Sequence, residues 1–245
     1  MLFSSVPFLF YFLPAALLLY FAVPRPLKNA VLLLASLFFY AWGEPVYVLL
    51  LMAMALFDWY FALRVQRAQR EEKNAKLWVA LACVVNLGLI GFFKYAGMVC
   101  SIFGDVPAFV QRIALPLGIS FYTFVICGYM IDVYRGREAE RNFLDFALFT
   151  TFFPAILSGP IERSKSLLPQ FKQPRRANAD DVRFAAERLI EGTVKKVLLA
   201  DNLAILVNTA YADPAQFSGL ELAFAAVAYA LQIYCDFSAY SDMAI

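Results

Sequence analysis

A chain of 245 residues with a formal charge of +2 can bury a sizeable core and is too weakly basic to point to nucleic acid. It is 62% hydrophobic and 16% charged, against about 45–50% and roughly 25% in soluble domains, which excludes an ordinary soluble class. It has no histidine, and its four cysteines, Cys83, Cys100, Cys127 and Cys235, lack Cys-x-x-Cys spacing. A metal or haem site therefore has little to build on, and the cysteines read as small buried hydrophobes.

Apolar stretches that approach or exceed the ~20 residues needed to cross a bilayer follow in order. The first, 7–23, lacks a basic leader and a small-x-small cleavage site before Pro24, so it reads as a retained span. Residues 30–42 and 46–63 form a hairpin of spans, because Gly43-Glu44-Pro45 breaks the apolar run and Glu44 is costly in hydrocarbon. Spans are expected at 77–103 and 113–133, and from 220 to the end, with a moderately apolar piece at 198–212.

Most of the 21 lysines and arginines fall in four connecting segments, 24–29, 64–76, 135–142 and 159–183, whereas the intervening loops carry only Arg112. The positive-inside rule places the four on the cytoplasmic side. Two of them flank the apolar segment 143–157, which is too short to cross twice. That segment is expected to be re-entrant or buried in protein. Residues 182–197 read as an interfacial amphipathic helix, with Phe184, Leu189, Ile190 and Val194 on its apolar face and Asp180 or Asp181 as its cap. No soluble domain is expected; residues 1–245 read as one membrane unit.

Charged residues inside spans are candidate functional groups. Asp58 and Asp132 are expected to snorkel or to pair with nearby Arg64 or Arg135, and Lys94 to pair with a carboxylate on a neighbouring helix or to meet substrate. On the last helix Tyr229, Gln232, Asp236 and Tyr240 share one stripe, while Ser238, Ser241 and Asp242 lie opposite. A helix polar on both faces either lines a wet cavity or joins an interhelical hydrogen-bond network. Arg163, Lys165, Arg175 and Arg176 either set topology or attract anionic lipid or the phosphates of a cytosolic donor.

Ordered motifs along the chain resemble the membrane-bound O-acyltransferase family, and within it the branch of bacterial alginate O-acetyltransferase membrane subunits. They begin with Met1-Leu2-Phe3-Ser4-Ser5 and Phe39-Tyr40-Ala41-Trp42-Gly43-Glu44-Pro45. Pro116-Leu117-Gly118-Ile119-Ser120-Phe121-Tyr122, Asp132-Val133-Tyr134-Arg135-Gly136 and Ser158-Gly159-Pro160-Ile161 follow. The last are Lys195-Lys196-Val197-Leu198-Leu199-Ala200-Asp201-Asn202 and Leu231-Gln232-Ile233-Tyr234 leading into Asp236-Phe237-Ser238. The family usually has Gly where Ala239 stands and an aromatic residue where Cys235 stands.

The resemblance implies an all-α, polytopic helical bundle in a bacterial inner membrane. It implies transfer of an acetyl group from acetyl-CoA or another acetyl carrier, with no cofactor or metal bound. The implied partners are membrane lipid, extracytoplasmic acetyltransfer proteins and, through them, a polysaccharide such as alginate. Tyr229, Gln232, Asp236, Ser238, Tyr240, Ser241 and Asp242 become candidate cavity residues, and Arg163, Lys165, Lys195 and Lys196 candidate donor-side cations. The family's histidines have no counterpart among these residues, so the catalytic base is expected beyond Ile245 and this chain alone is expected to be inactive. D-alanyl transfer to teichoic acid and a transporter or channel subunit are the alternatives. A transporter often shows inverted internal symmetry, and none is visible.

Overall fold

The computed structural model describes residues 3–104, 107, 110, 114–157, 159, 163–173 and 178–244. Arg112, Arg175, Arg176 and most of the Ser158–Ile161 motif lie outside them. The described residues are helical, without strands. Four helices are long and apolar enough to cross a membrane: α2 (Arg25–Gly43), α3 (Tyr47–Arg70), α4 (Ala75–Phe103) and α11 (Gly219–Ala244). Shorter apolar helices are α1 (Pro7–Ala22) and α5 (Ile119–Tyr134). The chain divides into a larger unit, Ala16–Leu157 with Ile161–Pro174, and a smaller one, Met1–Ala15 and Ser158–Pro160 with Arg175–Ile245.

The larger unit is built on a seam. On α3 the buried residues Leu51, Met54, Ala55, Asp58, Ala62 and Val65 recur at intervals of three and four, which gathers them on one face. That face meets α4 and α5. Few residues of α4 are buried, Ala75, Ala82 and Asn86 among them, so most of its surface faces outward as a lipid-facing helix requires. The turn Gly43-Glu44-Pro45 ends α2 as expected, with the Glu44 N–H donating to Tyr40 O at 3.0 Å.

Residues 143–157 form a short helix α6 (Phe143–Thr151), a break at Phe152, and α7 (Phe153–Ile156). Nine residues rise about 14 Å, well short of the ~30 Å hydrocarbon layer. From Asp145 to Thr151 every residue of α6 is buried. The protein thus shields this segment, as its flanking charges imply. The Asn142 side chain accepts from Leu144 N and caps α6. Asn29 Nδ2 on α2 donates to Asp145 Oδ1 at 2.7 Å, and Tyr129 packs its ring 5.2 Å from Phe146.

The span expected at 113–133 begins later. Gly118 adopts φ +74° and α5 starts at Ile119. A Cβ at Gly118 would lie 2.2 Å from the Ile156 carbonyl oxygen, so the left-handed turn lets the chain pass directly beside α7.

The intramembrane charges find partners other than those expected. Asp58 is fully buried and accepts from Asn86 Nδ2 at 2.7 Å and Tyr122 OH at 3.0 Å, linking α3, α4 and α5. Arg64 instead lies over the rings of Tyr60 and Trp78. Asp132 accepts from Ser164 Oγ at 3.1 Å rather than pairing with Arg135. Lys94 has no carboxylate within ion-pair distance among the described residues; its Nζ sits 5.8 Å from the Tyr95 ring. The four cysteines are free thiols and half-buried rather than fully buried.

In the smaller unit α9 (Ala179–Val194) runs through a π-helical turn, Lys195–Ala200, into α10 (Asp201–Ala212). A short 3-10 turn, Pro214–Gln216, leads to α11. The cap of α9 is Asn178, whose Oδ1 accepts from Asp181 N at 2.7 Å, so neither Asp180 nor Asp181 serves. The expected apolar face of α9 is turned outward: Phe184 is 51% and Ile190 63% exposed. The face against α11 carries Arg188, Gly192 and Lys195 instead. A Cβ at Gly192 would come within 2.6 Å of Ala239 O, so the two helices touch backbone to backbone. Small residues inside and large apolar residues outside suit a helix pair in lipid, where close packing replaces the hydrophobic drive.

Candidate functional site

The π turn determines where the cations of the smaller unit go. A π turn repeats at i→i+5 and widens the helix by one residue. Lys196 and Asp201, five apart, therefore meet at 2.9 Å. The two consecutive lysines then reach different acids on α11. Lys196 Nζ donates to Asp236 Oδ1 at 2.5 Å. Lys195 Nζ donates to Asp242 Oδ2 at 2.5 Å and to Ser238 Oγ at 3.4 Å. Arg188, two turns earlier on α9, adds a contact to Asp242 Oδ1 at 3.3 Å.

The hydrogen bond to Asp242 raises the pKa of the Lys195 ammonium above its ordinary value. For Lys196, burial pulls the pKa down, but the hydrogen bonds to Asp236 and Asp201 outweigh it and the net direction is up. Both lysines stay charged near neutral pH, so neither is a general base there. They are donors, able to hold an anion or polarise a carbonyl.

One of these pairs borders an open groove of about 420 Å³, lined by Phe3, Ser4, Lys196, Asp236 and Tyr240 together with apolar residues of α11. Lys196 and Asp236 supply its charge, and the Tyr240 ring packs 4.5 Å from Phe3. One turn before Asp236, the amide oxygen of Gln232 is buried with no hydrogen-bond partner among the described residues.

The structure thus sorts the residues singled out in the sequence. Lys196, Asp236 and Tyr240 come together at the groove. Lys195, Ser238 and Asp242 form a separate cluster between α9 and α11. Ser241 is half-buried on α11, while Tyr229 is exposed, its ring 6.1 Å from that of Tyr211. Arg163 and Lys165 belong to the larger unit and are exposed at the start of α8 (Ser164–Lys172). Asp201, Arg188 and the Phe3–Ser4 wall were missed. Lys196 and Asp201 stand i,i+5, a spacing that α-helical periodicity sets aside. Among the described residues no group of three or more His, Cys, Asp or Glu is placed to hold a metal.

A bundle of membrane-length helices with a charged groove against one of them defines a membrane protein. No family model matches the chain. It is similar over its whole length to the "Probable alginate O-acetylase AlgI" of Pseudomonas aeruginosa, at 41% identity and covering 48% of that protein. The protein of the same name in Azotobacter vinelandii is 40% identical, with 50% of its length covered. The peptidoglycan O-acetyltransferase of Helicobacter pylori is 32% identical, with 53% covered. The similarity runs to proteins named as O-acetylases and O-acetyltransferases, in line with the motifs. The chain spans about half the length of the curated relatives it matches.

Proposed function

We propose that the chain contributes to a membrane O-acyltransferase, spanning the bacterial inner membrane several times. It moves an acetyl group from a cytosolic donor, acetyl-CoA or another acetyl carrier, toward an extracytoplasmic polysaccharide such as alginate. Extracytoplasmic partner proteins complete the delivery. The observation that carries this reading is whole-chain similarity to O-acetyltransferases from several genera. The groove at Lys196 and Asp236 supports it, since a partly buried ammonium beside an open cavity suits the oxygen of an acyl carbonyl. Lys196 is the donor that would face the developing negative charge, and Asp236 holds it in place.

A chimera tests the proposal. The matching half of an alginate O-acetylase is replaced by residues 1–245 in an alginate-producing strain that lacks its own copy. Acetyl ester on the secreted alginate is then measured. Restored acetylation is expected. A chimera that inserts in the membrane with its partners present, yet leaves alginate unacetylated, rules out alginate as the acceptor. Restoration of peptidoglycan acetylation in the equivalent chimera would move the acceptor to the cell wall.

A further inference from the structure

A second groove lies in the larger unit, away from the residues assigned above. It measures about 380 Å³, and its lining includes Arg137, Glu138, Glu140, Arg141, Leu168 and Lys172. We propose that this groove binds the phosphate headgroup of an anionic membrane lipid, with Arg141 as the principal contact. The proposal does not depend on the acyl-transfer reading.

The groove is preformed. Its loop wall is held from below: Trp59 Nε1 donates to Glu140 O at 3.0 Å, and Glu140 N donates to Tyr129 OH at 2.8 Å. Arg137 fastens the loop to α8 by donating to Ser164 Oγ at 2.5 Å and Ser164 O at 2.6 Å. A site whose backbone is already ordered loses less entropy when it binds.

Its charges are mostly committed, with one exception. Glu140 is buried and pairs with Lys172 at 2.6 Å. Glu138 is exposed, 3.5 Å from Arg70. Arg137 is used on Ser164. Arg141 is exposed and has no carboxylate within ion-pair distance among the described residues. Its guanidinium fork matches two phosphate oxygens, and Arg137 and Lys172 add positive potential beside it.

Two features favour a lipid over a soluble phosphate. The cations of the groove share its lining with the apolar residues Ala139, Leu168 and Pro169, and the amphipathic α8 that forms one wall is anchored by the buried Leu167. The loop wall begins where the apolar helix α5 ends, at Tyr134, which is where a headgroup layer is met. Arg135, Arg163 and Lys165, all exposed, lie on the same two segments. A basic pocket at the end of a membrane helix is a recurrent headgroup site.

The test titrates the purified, delipidated chain in neutral detergent with phosphatidylglycerol or phosphatidylcholine and counts bound lipid by native mass spectrometry. Phosphatidylglycerol should bind in preference, and Arg141→Ala should weaken it about tenfold. Arg141→Lys, which keeps the charge but loses the fork, should weaken it less. Arg183→Ala, an exposed cation in the other unit, should leave binding unchanged. Equal loss from Arg183→Ala and Arg141→Ala would reduce the effect to diffuse surface charge and overturn the proposal. So would competition by inorganic phosphate at the same concentration as the lipid, which would mark a soluble-anion site. Equal binding of the two lipids would overturn it as well.

Discussion

Asp58 on α3 and Asp236 on α11 both sit in helices long and apolar enough to cross a membrane, yet their surroundings differ. Asp58 is fully buried and accepts from two neutral donors on two other helices. Asp236 is partly exposed, bonded to an ammonium, and borders a groove. The first arrangement uses a polar residue to fix which helices pack together. The second leaves a charge pair within reach of a ligand. Sequence context marks both as acids among apolar residues, and their partners distinguish their roles. An acid closed in by three helices is a packing element, whereas one paired at an open edge is a candidate for chemistry.

The largest effect that would break this contrast is expected at neither acid but at the turn that orders the larger unit. Gly118→Val adds a branched side chain where φ is +74° and where even Cβ would meet the Ile156 carbonyl. Strain and overpacking together should cost about 2–5 kcal/mol. Thermal unfolding in detergent should show a large drop, with little folded protein recovered. A melting temperature equal to wild type would mean that α5 and α7 are not held at this contact.

Asp58→Ala comes next. It leaves the Tyr122 hydroxyl without its acceptor and deprives Asn86 of one, at a cost of about 1–3 kcal/mol. Asp58→Asn keeps an acceptor and a similar shape, so it should recover most of that loss. In the chimera, Asp58→Asn should acetylate as well as wild type. Loss of acetylation in a stable Asp58→Asn protein would turn this packing acid into a functional one and collapse the distinction. Gly192→Val probes the smaller unit in the same way. Its side chain would press on Ala239 O and Met243 N, separating α9 from α11 at about 1–3 kcal/mol.

Much of this organisation was legible from residue order. The break at Gly43-Glu44-Pro45 and the shielding of 143–157 follow from local composition and charge. Partners were not legible. Asp58 had Arg64 nearby in sequence, but its bonds come from Asn86 and Tyr122, which tertiary packing selects. The start of α5 was misplaced because an apolar run continues through Leu115 and Leu117, while the left-handed Gly118 interrupts the helix. The apolar face of α9 points outward, which an interfacial helix allows, but its backbone contact with α11 at Gly192 is set by tertiary packing and was not legible. Lys195 and Lys196 were recognisable as a basic pair. That they diverge to separate acids depends on a π turn, which leaves no periodic mark.

The smallest stability effect, and the sharpest test of the contrast, is expected at Lys196 and Asp236. Both side chains are partly exposed, so solvent screens their attraction, and pairs of this kind contribute about 0.2–1 kcal/mol. Lys196→Met and Asp236→Asn should therefore melt within a few degrees of wild type. Their effect on acetyl transfer should be larger. Removing one preorganised donor to a developing oxyanion typically lowers turnover about 10²–10³-fold, and Lys196→Met should approach that range in the chimera. Asp236→Asn should do less, because Asp201 still holds the Lys196 ammonium at 2.9 Å. Lys196→Arg keeps the charge but changes its reach, so a partial rescue would show that position matters as well as charge. Near-normal acetylation by a stable Lys196→Met chimera would make the groove pair a packing element like Asp58, and the chemistry would have to be sought elsewhere in the protein.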